Sequence, residues 1–199
     1  MRRLGLDFDN TIACYDTSFH QVAVEYGWLE PQEQRSKRQV KEQVLLRHGN
    51  EVWTELQGLV YGSHIQLAEP FEGVLDFVAG AREQGWEVIV VSHKTRYPVV
   101  GVAHDLHRAA RDWLRLRGFF EAGVAAVYFE PTRELKVRRV AELGCEIFVD
   151  DLAEVFLDPG FPSGTRCWLH FAGEAPDGPW RGFADWRVAF GWLAGPNQG

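Results

Sequence analysis

The chain has 199 residues, of which 46% are hydrophobic and 25% are charged, and its formal net charge is −7. This length and balance fit one globular domain, with or without a large insertion, and exclude a disordered or fibrous protein. No apolar run approaches the roughly 20 residues that a membrane-spanning helix needs. The acidic charge, without a long basic block, argues against nucleic acid as a partner.

The N-terminus and the cysteines indicate the cellular compartment of the protein. Met1-Arg2-Arg3-Leu4 leads directly into a short apolar and acidic segment, without the hydrophobic core of a signal peptide. The three cysteines, Cys14, Cys145 and Cys167, are odd in number and lack the spacing of a metal site. This pattern favours a reducing compartment over a disulfide framework. The sequence therefore predicts a cytoplasmic protein and leaves its oligomeric state open.

Five short apolar segments predict buried strands, in chain order at residues 4–8, 88–91, 125–129, 147–149 and 167–169. Their uninterrupted apolar character is typical of parallel strands that are covered by helices on both faces. Segments with helical periodicity lie between the later strands and end near Gly85, Gly118 and Gly144, as helices often do. This alternation predicts an α/β fold with a doubly wound, Rossmann-like parallel sheet. The late tryptophans Trp180, Trp186 and Trp192 are expected to pack a last helix onto that sheet.

Residues 15–69 interrupt the alternation. Their apolar spacing predicts a helix closed by Gly27, a polar helix over 37–47 and another through Val52, Leu56 and Leu59, with Trp28, Trp53 and Tyr61 as their small core. Connections after a strand usually have only a few residues, so this segment is predicted to be an inserted helical subdomain. The expected division is 1–14 with 70–199 for the α/β core, and 15–69 for the insertion.

The first predicted strand runs into Asp7-Phe8-Asp9-Asn10-Thr11, which places two carboxylates and a hydroxyl at its carboxyl end. Asp, Asn and Thr all favour turns, so a surface turn is the simplest explanation of this motif. In open α/β sheets, however, ligands bind at the carboxyl ends of the strands. The motif therefore indicates a functional site.

Three further polar groups follow later strands: Ser92, then Lys136, then Asp150-Asp151 with Glu154. Each has an ordinary explanation, respectively a polar loop, a solvated lysine and acids at a helix start. All of them nevertheless follow predicted strands, and so converge on the same edge of the sheet as Asp7. Acids, a hydroxyl and a lysine at one edge suit the chemistry of a phosphate ester with a hard cation.

In this order, the four motifs resemble those of the haloacid dehalogenase superfamily, in its phosphatase branch with a C1-type helical cap between the first two motifs. The resemblance spans the α/β core from residue 1 to about residue 192. It implies that Asp7 attacks phosphorus and becomes an aspartyl phosphate. It also implies that Asp9 protonates the leaving oxygen and then activates the hydrolytic water.

The resemblance further implies a phosphate site and a metal site. Thr11, Ser92 and Lys136 would bind phosphoryl oxygens. Mg²⁺ would bind the Asp7 carboxylate, the Asp9 carbonyl and Asp150, while Asp151 and Glu154 orient its waters from outside. Lys136 precedes Asp150 by one short helix, so Lys94, two residues after Ser92, is kept as an alternative for the lysine.

The substrate is expected to be a small phosphorylated metabolite, such as a sugar phosphate or a nucleotide, with His93, Lys94, Arg96 and Tyr97 as possible substrate contacts. The basic residues Lys37, Arg38, Lys41 and Arg47 favour a solvated helix face. Asp9 argues against dehalogenation, because halide leaves without a proton.

The sequence thus predicts a Mg²⁺-dependent phosphatase acting through an aspartyl phosphate. The alternatives are a phosphotransferase or phosphomutase that uses the same intermediate, and a non-enzymatic binding protein on this fold. A phosphate-sensing receiver domain would have its motifs in another order and would lack the insertion.

Overall fold

The structure, a computed structural model, describes residues 2–31, 36–171, 173 and 175–194. Its elements are, in chain order, β1 (Arg2–Leu6), β2 (Ala13–Cys14), α1 (Ser18–Glu25), α2 (Lys37–Tyr61), β3 (Glu69–Pro70), α3 (Val74–Glu83), β4 (Trp86–His93), α4 (Leu106–Leu116), α5 (Phe119–Ala122), β5 (Val124–Glu130), α6 (Arg133–Glu142), β6 (Ile147–Asp150), α7 (Ala153–Phe156), β7 (Arg166–His170), β8 (Trp180–Phe183) and α8 (Trp186–Ala194).

Six of the strands form one parallel sheet in the order β5-β4-β1-β6-β7-β8. Chain order runs outward from β1 in both directions, through β4 and β5 on one side and through β6, β7 and β8 on the other. Because crossovers are right-handed, this reversal at β1 puts helices on both faces of the sheet. The topology confirms the predicted α/β fold with a doubly wound parallel sheet.

Helices cover both faces of the sheet. On one face, Val137 and Val140 of α6 belong to a buried apolar cluster with Ile89 of β4 and Phe148 of β6. On the other face, the ring centroid of Phe77 in α3 lies 6.3 Å from that of Trp168 in β7. Both faces of the central strands are therefore buried, which explains their uninterrupted apolar sequences.

The late tryptophans divide between a helix and a strand. Trp186 of α8 is 1% exposed, and Trp192 of the same helix contacts Trp168 with 5.2 Å between ring centroids. Trp180, however, begins β8, a sixth strand that the sequence analysis did not predict. Strand β8 is at the edge of the sheet and exposes Arg181 and Gly182, so its sequence lacks the apolar run of a central strand.

The insertion after β1 contains α1 and α2, and β2 pairs with β3 in a two-stranded sheet. At Gly49 the backbone leaves the helical conformation (φ 82°), so α2 consists of the two successive helices that the sequence predicts there. Phe19 of α1 stacks on Trp53 at 5.2 Å and meets Tyr61 edge-on at 5.6 Å, measured between ring centroids. Two of the three predicted core aromatics thus pack together.

Trp28, the third predicted core aromatic, stacks instead on Tyr26, with 5.2 Å between the ring centroids.

None of the helices in the described part of the chain combines the length and the apolar character that crossing a bilayer requires.

Internal contacts divide the chain into two compact units, Met1–Ile12 with Pro70–Lys94 and Arg115–Gly199, and Ala13–Glu69 with Thr95–Leu114. The second unit differs from the predicted insertion chiefly by including 95–114, a segment expected in the α/β core. This segment packs on the insertion: Trp113 Nε1 donates to the carbonyl of Ala68 at 2.9 Å. A Cβ atom on Gly58 of α2 would lie only 2.8 Å from the Cβ of Pro98, so the contact requires glycine there.

Candidate active site

The central strands of the first unit bring the predicted motifs to one edge of the sheet. Asp7 follows β1 directly, and its amide donates to the carbonyl of Val149 in β6 at 2.8 Å. Asp150 ends β6, and Ser92 is the penultimate residue of β4. Since β1 lies between β4 and β6 and all three are parallel, their carboxyl ends form one crevice.

Lys136 joins two of these strands through its ammonium group. Its Nζ lies 2.6 Å from Asp7 Oδ1 and 2.6 Å from Asp150 Oδ2. The lysine is in the first turn of α6, where the side chain of Thr132 caps the helix by accepting from the amide of Leu135 at 3.3 Å. Its side chain is 2% exposed, so the solvated lysine considered from the sequence does not describe it.

Asp151 completes a cluster of carboxylates. One oxygen each from Asp7, Asp150 and Asp151 lies within 4.8 Å of the other two. Thr11 Oγ1 is 3.4 Å from Asp7 Oδ2 and 3.5 Å from Asp151 Oδ1. The amide of Leu152 donates to Asp150 Oδ1 at 3.0 Å, which fixes that carboxylate. Asp151, expected to lie outside the metal ligands, thus reaches the same cluster as Asp7 and Asp150.

Burial and the neighbouring charges together shift the pKa values of Asp7 and Lys136. Burial raises the pKa of Asp7 to about 7, while the charge of Lys136 opposes the rise and that of Asp150 adds to it. Burial lowers the pKa of Lys136, but the carboxylates of Asp150 and Asp7 outweigh burial and raise it above its usual range. Lys136 is therefore a fixed positive charge, and it favours the ionised form of Asp7.

Asp9 has a different lysine as its partner. Lys94 Nζ lies 2.7 Å from Asp9 Oδ2, and the side chains are 3% and 19% exposed. The two lysines that the sequence analysis weighed for one role thus occupy two places, Lys136 against Asp7 and Asp150, and Lys94 against Asp9.

The loop that carries Asp9 is held by His170, a residue that the sequence analysis missed. His170 Nδ1 lies 3.1 Å from the carbonyl oxygen of Asn10, whose backbone is left-handed (φ 59°). Burial lowers the pKa of His170 and so favours its neutral ring, against the opposing effect of its hydrogen bond to the Asn10 carbonyl. His170 ends β7 and directly follows a predicted strand, the same placement that singled out the other motifs.

Among the remaining predicted site residues, Glu154 and His93 are not members of the carboxylate cluster, and Arg96 and Tyr97 belong to the second unit. Glu154 is exposed in the first turn of α7. His93 is exposed, and its Nε2 lies 3.1 Å from the carbonyl oxygen of Pro131. Arg96 and Tyr97 belong to the second unit, where Arg96 pairs with Asp105 at 3.1 Å. Ser92 is 1% exposed.

Comparisons with known proteins bear on the fold. No protein-family model and no curated protein matches the sequence. Among solved structures, a haloacid dehalogenase superfamily hydrolase of subfamily IA from Geobacter sulfurreducens matches with 14% identity and a TM-score of 0.62, covering 97% of this chain and 96% of that one. A predicted phosphoglycolate phosphatase from Haemophilus somnus matches with 12% identity and a TM-score of 0.61, covering 96% and 97%.

A putative β-phosphoglucomutase from Thermotoga maritima matches with 12% identity and a TM-score of 0.59, covering 98% of this chain and 99% of that one. These likenesses extend over the whole chain, insertion included. They confirm that the chain has the fold of the haloacid dehalogenase superfamily hydrolases, as its motifs predict.

Proposed function

We propose that this protein is a Mg²⁺-dependent phosphatase that hydrolyses a small phosphomonoester through a phosphoryl intermediate on Asp7. The observation that supports this most directly is the buried contact of one ammonium with two carboxylates, Lys136 Nζ at 2.6 Å from both Asp7 and Asp150. A buried lysine is rare unless it is paired, and here it fixes a carboxylate at the edge where ligands bind in such sheets.

Asp7 and Asp9 have different roles in the reaction. An oxygen of Asp7 attacks phosphorus while the bond from phosphorus to the leaving oxygen breaks and its electron pair stays on that oxygen. The leaving oxygen takes a proton from Asp9 and departs as the alcohol. Asp9 then accepts a proton from the water that attacks phosphorus, and Asp7 is released as a carboxylate. One water is consumed, and the products are the alcohol and inorganic phosphate.

The polar groups around Asp7 have supporting roles. Lys136 offsets charge on Asp7 and on the transferred phosphoryl group. Thr11 is buried with its hydroxyl 3.4 Å from Asp7, where it donates to a phosphoryl oxygen. Ser92, buried near the end of β4, is assigned the same role from its motif.

The carboxylate cluster suits a divalent cation. Asp7, Asp150 and Asp151 offer three hard oxygen donors within 4.8 Å of one another. When all are ionised, their three negative charges face the single charge of Lys136, and a divalent ion balances the remaining two. Asp7, Asp150 and Asp151 would hold Mg²⁺, with the Asp9 carbonyl added by the resemblance. When bound there, the ion would supply electrophilic stabilisation of the charge that develops on the phosphoryl oxygens.

Asp9 selects phosphate esters over carbon–halogen bonds. An alkoxide leaving group needs a proton, and halide does not, so a carboxyl group two residues after the nucleophile is useful only in ester cleavage. The proposal of a small-molecule substrate is based on the helical insertion after β1, because such an insertion serves as a cap in the resembling family.

A screen of phosphorylated metabolites tests the proposal. The protein should release inorganic phosphate from at least one sugar phosphate or nucleotide with Mg²⁺ present, and activity should disappear with excess chelator and return with added Mg²⁺. If no phosphomonoester is hydrolysed while calorimetry detects Mg²⁺ binding, the proposal is wrong. With labelled phosphate, recovery on another sugar hydroxyl instead of as free phosphate would identify a phosphotransferase.

A further inference from the structure

Two of the four lysines in the chain are buried, and the phosphatase scheme gives a role to only one of them. Lys136 contacts the nucleophile. Lys94 is 5% exposed as a whole residue, and its Nζ lies 2.7 Å from Asp9 Oδ2. A buried ammonium is expensive to remove from water, so a lysine with an aliphatic stem rarely takes such a position without a specific partner.

Contacts hold both the backbone and the ammonium group of Lys94. Its amide donates to the carbonyl of Glu130 at 2.8 Å, which continues the pairing of β4 with β5 one residue beyond His93. Its ammonium lies 5.4 Å from the ring centroid of Phe8, and that ring packs edge-on against Phe129 of β5 at 6.3 Å. Lys94 therefore presents its charge from a backbone that is hydrogen-bonded to β5, one residue beyond the end of β4.

The backbone around Asp9 is fixed independently of Lys94. The amide of Ile12 donates to the carbonyl of Phe8 at 3.1 Å, and His170 Nδ1 lies 3.1 Å from the carbonyl oxygen of Asn10. With the backbone held, the ion pair at Oδ2 restrains the conformation of the Asp9 side chain. The geometry is that of a general acid whose orientation is set by its neighbour.

We propose that Lys94 is a positioning residue for Asp9: it holds the carboxyl group at Oδ2 so that the other oxygen exchanges the proton with the leaving group and later with water. This inference rests on the proposed function. In the first step Asp9 is the neutral acid, with Lys94 donating to its Oδ2 and the proton on the other oxygen. The bond from Asp7 to phosphorus forms, the bond from phosphorus to the leaving oxygen breaks with its electron pair on that oxygen, and the Asp9 proton moves to it. In this role Lys94 acts through Asp9 and transfers no proton to the leaving oxygen itself.

A series of aryl phosphates whose aryl groups carry no charge, from p-nitrophenyl phosphate to phenyl phosphate, separates this role from others. Loss of acid catalysis matters little when the released phenol is acidic and much when it is not. For Lys94→Met, kcat/KM should fall by about 10²-fold on phenyl phosphate and by less than about tenfold on p-nitrophenyl phosphate. Asp9→Asn should have the same steep dependence on the leaving group.

Two companion variants show that the charge of Lys94 matters. Lys94→Arg keeps the charge and the hydrogen-bond donor. Its kcat/KM should therefore depend on the leaving group less steeply than that of Lys94→Met, closer to the wild type. Arg108→Met removes an exposed cation of α4, with an 82% exposed side chain, and should leave the dependence unchanged.

The double variant Asp9→Asn/Lys94→Met completes the comparison. It removes both members of the ion pair, so neither charge is left buried alone. If Lys94 acts through Asp9, Lys94→Met should change kcat/KM for phenyl phosphate little in the Asp9→Asn background, against the loss of about 10²-fold expected in the wild type. A loss by the same factor in both backgrounds, or an equal loss across the aryl series, overturns the positioning role and indicates a substrate contact or a structural role. A wild-type protein that binds Mg²⁺ but hydrolyses neither these esters nor any phosphomonoester of the metabolite screen overturns the proposed function itself, and the inference with it.

Discussion

Replacement of Asp7 by asparagine is expected to lower kcat by at least about 10⁴-fold with any phosphomonoester substrate, because an amide oxygen does not form the phosphoryl intermediate. The folded structure should persist, since asparagine has the same shape and its Oδ1 still accepts from Lys136, which is 2.6 Å from Asp7 Oδ1. Steady-state kinetics with a saturating substrate and circular dichroism of the same preparation measure the two effects.

Asp76→Asn is a matched control, because Asp76 is an exposed carboxylate of α3 in the same unit. It should retain wild-type turnover. An Asp7→Asn protein that is folded and turns over at the wild-type rate would exclude Asp7 as the nucleophile. A loss of turnover in Asp76→Asn as well would attribute the effect to general damage.

Replacement of Lys136 by methionine is expected to affect both stability and turnover. It leaves Asp7 and Asp150 buried without their ammonium, so the free energy of unfolding in the presence of chelator should fall by about 3 kcal/mol or more. Saturating Mg²⁺ should reduce this loss, because the cation offsets the same carboxylates and stabilises the folded state that binds it. At saturating Mg²⁺, kcat should remain about 10²-fold to 10³-fold below the wild type, because the charge on the phosphoryl oxygens loses a fixed cation.

Denaturant unfolding with chelator and with Mg²⁺ measures this difference. Arg138→Met, on the same helix, is the control: its guanidinium pairs with Glu142 at the surface, its side chain is 69% exposed, and such pairs contribute little. An equal loss of stability for Lys136→Met in chelator and in Mg²⁺ would mean that the lysine and the cation do not act on the same carboxylates.

The sheet and the order of its motifs were predictable because burial on both faces leaves a direct mark on the sequence. Central strands such as β4 and β6 are uninterrupted apolar runs, and the residue type changes to acid or hydroxyl where each strand reaches the ligand-binding edge. The edge strand β8 was not predicted, because half of it is exposed and its sequence is that of a loop.

The parts of the site that the sequence analysis did not identify depend on contacts between residues far apart in the chain. Lys94 and Asp9 are both polar residues after strands, and only the fold shows that they lie 2.7 Å apart and pair with each other. The same holds for His170 and the carbonyl of Asn10. Likewise, 95–114 was expected in the core because it follows a core strand, but its packing on α2 depends on the shape of Gly58 and Pro98.

The central claim is that phosphate passes through Asp7, and a trapped intermediate tests it most directly. An Asp9→Asn protein should still be phosphorylated by p-nitrophenyl phosphate, whose leaving group needs little protonation, and should lose the phosphoryl group slowly because no base activates water. After acid quenching, mass spectrometry should find one added phosphoryl group on the peptide that contains Asp7, and none in the Asp7→Asn/Asp9→Asn protein. Turnover of this substrate without any phosphoryl adduct, or with the adduct on another residue, would contradict the account.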